Sequence, residues 1–293
     1  MSAGAAVSVI GLGRMGSALA QALLLGGIPL VVCNRTRARC EPLREQGATV
    51  AVGIAEALAQ SSTALVSVAD YAAAGSLFFG TEGPDLRGKT LIQLSSGTPQ
   101  EAREWSLACA ERGGQTLTGA ILGYPMHIGT PQAQLLISGP EDLYAGSRDL
   151  LALLGAPTHV GEAFGGSSAL DCAVLAGSML SIIGLIQGIE LCRSESVDPA
   201  RLVDITNALL AAMPQVNEMI LQAVLTRDYA DPQAAIDTWE ATAGHIADIV
   251  ARNRMAPPVS HMLTKMFAHA HAAGLGGLDI SALAELLRAS PKP

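Results

Sequence analysis

Aromatic residues make up 3% and charged residues 15% of this 293-residue chain, where soluble proteins average about 25% charge. Bases are the scarcer sign. Eighteen Lys and Arg stand against 26 Asp and Glu, a formal net charge of −8, so the basic stripe that marks a nucleic-acid binder is missing. Lysine occurs only at Lys89, Lys265 and Lys292. The five cysteines, Cys33, Cys40, Cys109, Cys172 and Cys192, are odd in number and form no CxxC pair. Neither a disulfide framework nor a zinc site is expected from them. They read as small buried hydrophobes of a reducing cytoplasm. Met1–Ala6 lacks the basic region of a signal peptide, and no repeat of fixed period stands out.

What is present is aliphatic. Hydrophobic residues reach 49%, which excludes intrinsic disorder and supplies a large core. The length suits one large domain or two ordinary ones, at roughly 150 residues each. Cys172 to Ile189 is an uncharged run of 18 residues, the lower edge of a membrane-spanning helix. Glycines at 177, 184 and 188, Gln187, flanking Asp171 and Glu190, and no Lys/Arg asymmetry between the ends favour a buried helix of a soluble protein instead.

From Val7 to about Val160, β-branched runs alternate with Ala- and Leu-rich helical stretches. Strands are expected at Val7–Ile10, Pro29–Cys33, around Thr49, Ala64–Val68, Thr90–Leu94 and Gln134–Ser138, with helices at Ser17–Leu25, Arg39–Glu45 and Pro99–Arg112. Continuous apolar strands separated by helices imply a doubly wound, mostly parallel α/β sheet. After Gly161 the β-runs stop. One long helix is expected over Ser168–Arg193, then helices broken at Pro214, Asp231-Pro232, Pro257-Pro258 and Gly274–Gly277. The expected division is a sheet domain over 1–163, a connecting helix over 164–194 and a helical domain over 195–293.

Gly11-Leu12-Gly13-Arg14-Met15-Gly16 follows a strand and opens a helix, the setting in which GxGxxG signals dinucleotide binding. Gly11 permits the tight turn, Gly13 lets backbone approach a pyrophosphate, and Gly16 lets helix pack on strand. An NAD site places an acid about 20 residues further on. Here Asn34-Arg35-Thr36 stands there, followed by Arg37 and Arg39, with no acid before Glu41. A guanidinium grips a 2′-phosphate that a carboxylate would repel, so NADPH is the expected cofactor. Arg37 is also explained by simple solvation of a helix start.

These motifs, with Ser95-Ser96-Gly97-Thr98-Pro99, Gly119-Ala120-Ile121-Leu122-Gly123-Tyr124-Pro125 and Ile128-Gly129-Thr130-Pro131, together resemble the NADPH-dependent imine reductases and reductive aminases, relatives of the β-hydroxyacid dehydrogenases. The resemblance implies a Rossmann domain, a long interdomain helix and an all-α C-terminal domain exchanged with a partner subunit. The implied assembly is a homodimer whose active sites lie between two chains. It also implies that Val68, Ser95 and Ser96 lie near the nicotinamide, and that Ser96, Met179 and Trp239 lie near substrate. Substrates would be small imines or amines; neither membrane nor nucleic acid is an expected partner.

The β-hydroxyacid dehydrogenases carry a pattern like GxGxxxKxxNN at the head of the long helix. This chain reads Gly165-Gly166-Ser167-Ser168-Ala169-Leu170-Asp171-Cys172-Ala173-Val174-Leu175, with Asp171 at the lysine position and Val174-Leu175 in place of the asparagines. Ketone reduction builds negative charge on oxygen, which a carboxylate would oppose. Iminium reduction starts from positive charge on nitrogen, which a carboxylate favours and can protonate. Asp171 is therefore the candidate catalytic residue for C=N reduction, although an acid in a first turn also serves as a helix cap. Met179 falls where several reductive aminases have a tyrosine, which leaves open whether amine and ketone are condensed here. Ser95 or Ser96 could instead cap the helix at Pro99, and Trp239 could be core. His245, His261, His269 and His271 lack ligand spacing along their helices, and no metal is expected. The alternatives are an atypical β-hydroxyacid dehydrogenase and a non-catalytic NADPH-binding regulator.

Overall fold

The computed structural model describes residues 6–80 and 83–288. Eight strands are described: β1 (Val7–Ile10), β2 (Leu30–Cys33), β3 (Thr49–Val50), β4 (Thr63–Val66), β5 (Thr90–Gln93), β6 (Gln115–Leu122), β7 (Gln134–Ser138) and β8 (Ala156–His159). They form one sheet in the order β3-β2-β1-β4-β5-β6-β7-β8. Every pair is parallel except β6 with β7. The helices interleaved with them are α1 (Arg14–Leu25), α2 (Glu41–Arg44), α3 (Ile54–Gln60), α4 (Tyr71–Phe78), α5 (Pro99–Glu111) and α6 (Glu141–Ala152).

Successive residues of a strand face opposite sides, and here both sides are buried. Val9, Val32, Leu65 and Ile92 meet Leu19 and Leu23 of α1 and Leu150 and Leu151 of α6. Their neighbours Ile10, Val31, Val66 and Leu91 meet Leu58 of α3, Phe78 of α4 and Trp105 of α5. The sheet is doubly wound, as its sequence implies. Two strands went unread. β6 has Thr116, Thr118 and Gly119 inside it, which hide its apolar pattern, and β8 holds Pro157, tolerated because β8 is an edge strand paired only with β7.

The helical part comprises α7 (Gly166–Ser194), α8 (Pro199–Leu210), α9 (Met213–Thr226), α10 (Ile236–Arg252), α11 (Pro258–Ala272) and α12 (Ala284–Leu287). Prolines stand at the first turns of α8, α9 and α11, where a missing N–H costs nothing. The chain forms two compact units, one ending at Ala176 and the other beginning at Gly177. The second has its own small core of Tyr229, Ile236, Ala243, Phe267, Ala270 and Ala282.

The expectation of a buried α7 is corrected by the structure of the single chain. Ser167, Ser168 and Asp171 are its buried residues, whereas Val174, Met179, Ile182 and Ile186 are 41%, 56%, 51% and 58% exposed. By length and apolarity alone α7 could cross a membrane.

Candidate active site

Strand order reverses direction between β1 and β4, the point where open α/β sheets form a crevice at their carboxyl ends. The glycine motif lies there. Gly11 has φ +94°, and a Cβ on it would stand 2.3 Å from the Ser67 carbonyl oxygen and 2.8 Å from Val68 Cγ1. A Cβ on Gly16 would stand 2.0 Å from the Gly11 carbonyl oxygen. Gly13 differs: a Cβ there would meet nothing within 4 Å. It caps α1 without a side-chain hydrogen bond, and no acid occupies the first turn. The first amides of α1 therefore face open space with no built-in acceptor, a geometry that fits a pyrophosphate.

Asn34 fixes that turn. Its Oδ1 accepts from the Leu12 amide at 2.9 Å, and its Nδ2 donates to the Thr36 carbonyl at 2.9 Å. Arg39 Nη1 donates to the Leu12 carbonyl at 3.3 Å. Arg14, Arg35, Thr36 and Arg39 are exposed and Met15 is half-buried. Arg35 has no ion-pair partner among the described residues, so its guanidinium is free to take an anion.

The turn after β5 is tied to the same edge. Ser95 is buried; its Oγ accepts from the Val68 amide at 3.0 Å, and its own amide donates to Gln93 Oε1 at 2.9 Å. The helix that follows is capped by Thr98, whose hydroxyl accepts from the Glu101 amide while the Glu101 carboxylate accepts from the Thr98 amide. Capping is thereby accounted for without Ser95 or Ser96. Ser96 is exposed beside them.

The head of α7 packs against this edge. A Cβ on Gly165 would meet the Pro99 carbonyl oxygen at 2.6 Å. The Ser167 amide donates to Ser138 Oγ at 2.7 Å, and Ser167 Oγ donates to the Thr118 carbonyl at 3.0 Å. These contacts clamp the helix start to the middle of β6 and the end of β7. Asp171 follows one turn later, 7% exposed. It lies beyond the first turn, which contains no acid, so helix capping does not explain it. No hydrogen bond or ion pair engages its carboxylate among the described residues. Burial alone pushes its pKa above the ordinary carboxylate range.

Met179 and Trp239 lie in the second compact unit. Trp239 is 40% exposed and lines a cavity of about 680 Å³ with Met219, Tyr229 and Ile280. His271, at the end of α11, takes its partners from α10: Nδ1 lies 2.9 Å from Asp237 Oδ1 and 3.4 Å from Glu240 Oε2. Those carboxylates raise its pKa.

Comparison with known proteins matches the two parts of the chain to separate family models that meet at residues 164–168. Residues 6–168 match the NAD binding domain of 6-phosphogluconate dehydrogenase, and residues 164–289 match the NADPH-dependent reductive aminase-like C-terminal domain. The chain resembles the Aspergillus terreus reductive aminase solved with NADPH and ethyl levulinate, at 30% identity and TM-score 0.91, covering 97% of this chain and 100% of that one. It belongs to the imine reductase and reductive aminase family. The Myxococcus stipitatus imine reductase solved with NADP+ is 33% identical, with TM-score 0.86 and coverage of 97% and 100%. The NADPH-dependent reductive aminase of Aspergillus oryzae is 29% identical over 96% of this chain and 97% of its own. The N-terminal unit is thus an NAD(P)-binding domain of an oxidoreductase family.

Gly11–Gly16, Asn34, Ser95 and Asp171 stand out in the motifs of the sequence; Gln93, Tyr71 and the serine pair at 167 and 168 join them only in the folded chain. Gln93 had a legible signal, a single polar side chain inside the apolar run TLIQL.

Proposed function

We propose that the chain is an NADPH-dependent imine reductase, acting on cyclic imines or small secondary iminium ions. The observation that carries this reading is Asp171: a buried, unpaired carboxyl group where the hydroxyacid dehydrogenases keep a lysine. An iminium nitrogen supplies the positive charge this site lacks, and burial, by raising the pKa, makes this carboxyl hold its proton more readily than an exposed one. A developing alkoxide would meet repulsion instead.

NADPH supplies the hydride when bound. The open face over Gly13 and the free amides of α1 would hold its pyrophosphate, with Asn34 keeping the turn in shape. Arg35 and Arg39 would take the 2′-phosphate, and the Val68–Ser95 linkage would form the wall beside the nicotinamide. Asp171 orients and protonates the substrate nitrogen. Ser96, Met179 and Trp239 contribute to substrate contact, and the absence of a hydroxyl at Met179 favours preformed imines over condensation of ketone with amine.

The exposed apolar surface of α7 supports a homodimer in which a second copy covers this helix and completes each active site. Five free thiols fit a cytoplasmic setting. The test is NADPH oxidation with a cyclic imine such as 2-methylpyrroline, run beside NADP+ reduction with 3-hydroxyisobutyrate. Turnover of the imine alone is expected. Turnover of the hydroxyacid alone would reassign the chain to the dehydrogenases, and tight NADPH binding without any turnover would make it a nucleotide-binding regulator.

A further inference from the structure

Three buried residues with chemistry of their own meet at the head of α7. Tyr71, the first residue of α4, is 5% exposed, and its hydroxyl has no hydrogen-bond partner among the described residues. The ring is closely held. It stacks edge-on against Trp105 at 6.2 Å, and a Cβ on Gly97 would stand 2.3 Å from its Cδ2, so the turn bearing Ser95 and Ser96 is moulded on this side chain. Leaving a buried hydroxyl unpaired is unfavourable, although a phenylalanine would fill the same space.

Ser168 lies close enough to the phenol to ease its ionisation, though not in a hydrogen bond of ordinary geometry. Ser168 is 3% exposed and stands three residues before Asp171. Residues at i and i+3 share a helix face, with Cβ atoms about 5–6 Å apart. A serine hydroxyl rotates, accepting from one neighbour and donating to another. Ser168 therefore stands between a donor without an acceptor and a carboxylate without a donor.

We propose that Tyr71 is a positioning residue for Asp171: its hydroxyl donates to Ser168 Oγ, and the Ser168 hydroxyl in turn donates to the Asp171 carboxylate. The chain fixes the carboxylate rotamer and stabilises its ionised form. Burial above all keeps the Tyr71 phenol protonated and a donor, and the charged and titratable groups facing it, Glu101 and Cys109 of α5, oppose its ionisation further. No charged group offsets the burial of Asp171, and a rotation of the Ser168 hydroxyl would moderate it. This assignment rests on the reading of Asp171 as the group that serves the substrate nitrogen.

The experiment titrates the Asp171 carboxyl by infrared difference spectroscopy, subtracting Asp171→Asn, in the full-length wild type, Tyr71→Phe, Ser168→Ala and Ser168→Thr. Removing a hydrogen bond to the charged form raises a carboxyl pKa, so Tyr71→Phe and Ser168→Ala are each expected to move the midpoint up by about 0.5–1 pH unit. Ser168→Thr keeps the hydroxyl and should titrate like wild type. An unmoved midpoint in either hydroxyl deletion overturns the chain; should Tyr71→Phe fail to fold, the serine pair decides alone. Imine turnover by Asp171→Ala is measured separately. Full activity there would remove the catalytic reading of Asp171, whatever the titration shows.

Discussion

A carboxyl group buried without a charged partner is unfavourable to the fold that holds it, which makes Asp171 informative about function. Its folded-state pKa lies above its unfolded value, so between those two values the folded chain binds more protons than the unfolded one. Stability therefore falls as pH rises through that window and stays lower above it. Asp171→Asn should raise the melting temperature at pH 7–8, and the gain should vanish well below pH 4. Calorimetric melting of both proteins across pH checks this; a gain that persists in acid would point to packing rather than charge. Arg35 offers a second residue-level test. Arg35→Ala should weaken NADPH binding by about tenfold, the loss of one phosphate contact near 1.4 kcal/mol, and leave NADH unchanged. Calorimetric titration with both cofactors would show an equal loss for each if Arg35 does not meet the 2′-phosphate. Asp171 stands out in the sequence because a carboxylate replaces a lysine at a recognised position. Tyr71 does not, because its burial depends on α5 and α7, which reach it only in the folded chain.

At the scale of elements, the glycine turn separates packing from binding. A Cβ on Gly16 collides with the Gly11 carbonyl oxygen at 2.0 Å, whereas a Cβ on Gly13 meets no protein atom within 4 Å. Gly16→Ala should therefore destabilise by more than about 2 kcal/mol. Gly13→Ala should keep stability within about 0.5 kcal/mol of wild type while NADPH affinity falls tenfold or more. Thermal melting with and without NADPH reads both, and normal NADPH affinity in Gly13→Ala would mean that the pyrophosphate lies elsewhere. Strands rich in Val, Ile and Leu announced most of the sheet. β6 and β8 stayed hidden because a threonine- and glycine-bearing strand and a proline-bearing edge strand depend on their neighbours for their form. The ion-paired group of Asp237, Glu240 and His271 was illegible for a similar reason, since its members sit on two helices.

For the whole molecule, the shortage of charge finds its place in α7. Beyond Asp171 the helix presents Met179, Leu180, Ile182, Ile183 and Ile186, all about half exposed in the single chain. Gly177 and Gly184 stand seven residues apart, with nothing within 4 Å of either Cβ position, which leaves room for close approach of another chain. Apolar exposure on this scale marks an interaction surface. Sedimentation should find a dimer, and Ile183→Glu should shift it to monomer with loss of turnover. A wild-type monomer that reduces imines at full rate would contradict the shared-site assembly. Composition could show that such a surface exists; which chain covers it depends on contacts no single sequence pattern specifies.

The most direct measurement of the central claim is single-turnover reduction of a cyclic imine by pre-bound NADPH, comparing wild type with Asp171→Ala. With NADPH affinity equal in the two, the reduction rate should fall by about 100-fold or more in the variant, the range of a lost general acid. An equal rate in both proteins would contradict the assignment of Asp171 to the substrate nitrogen.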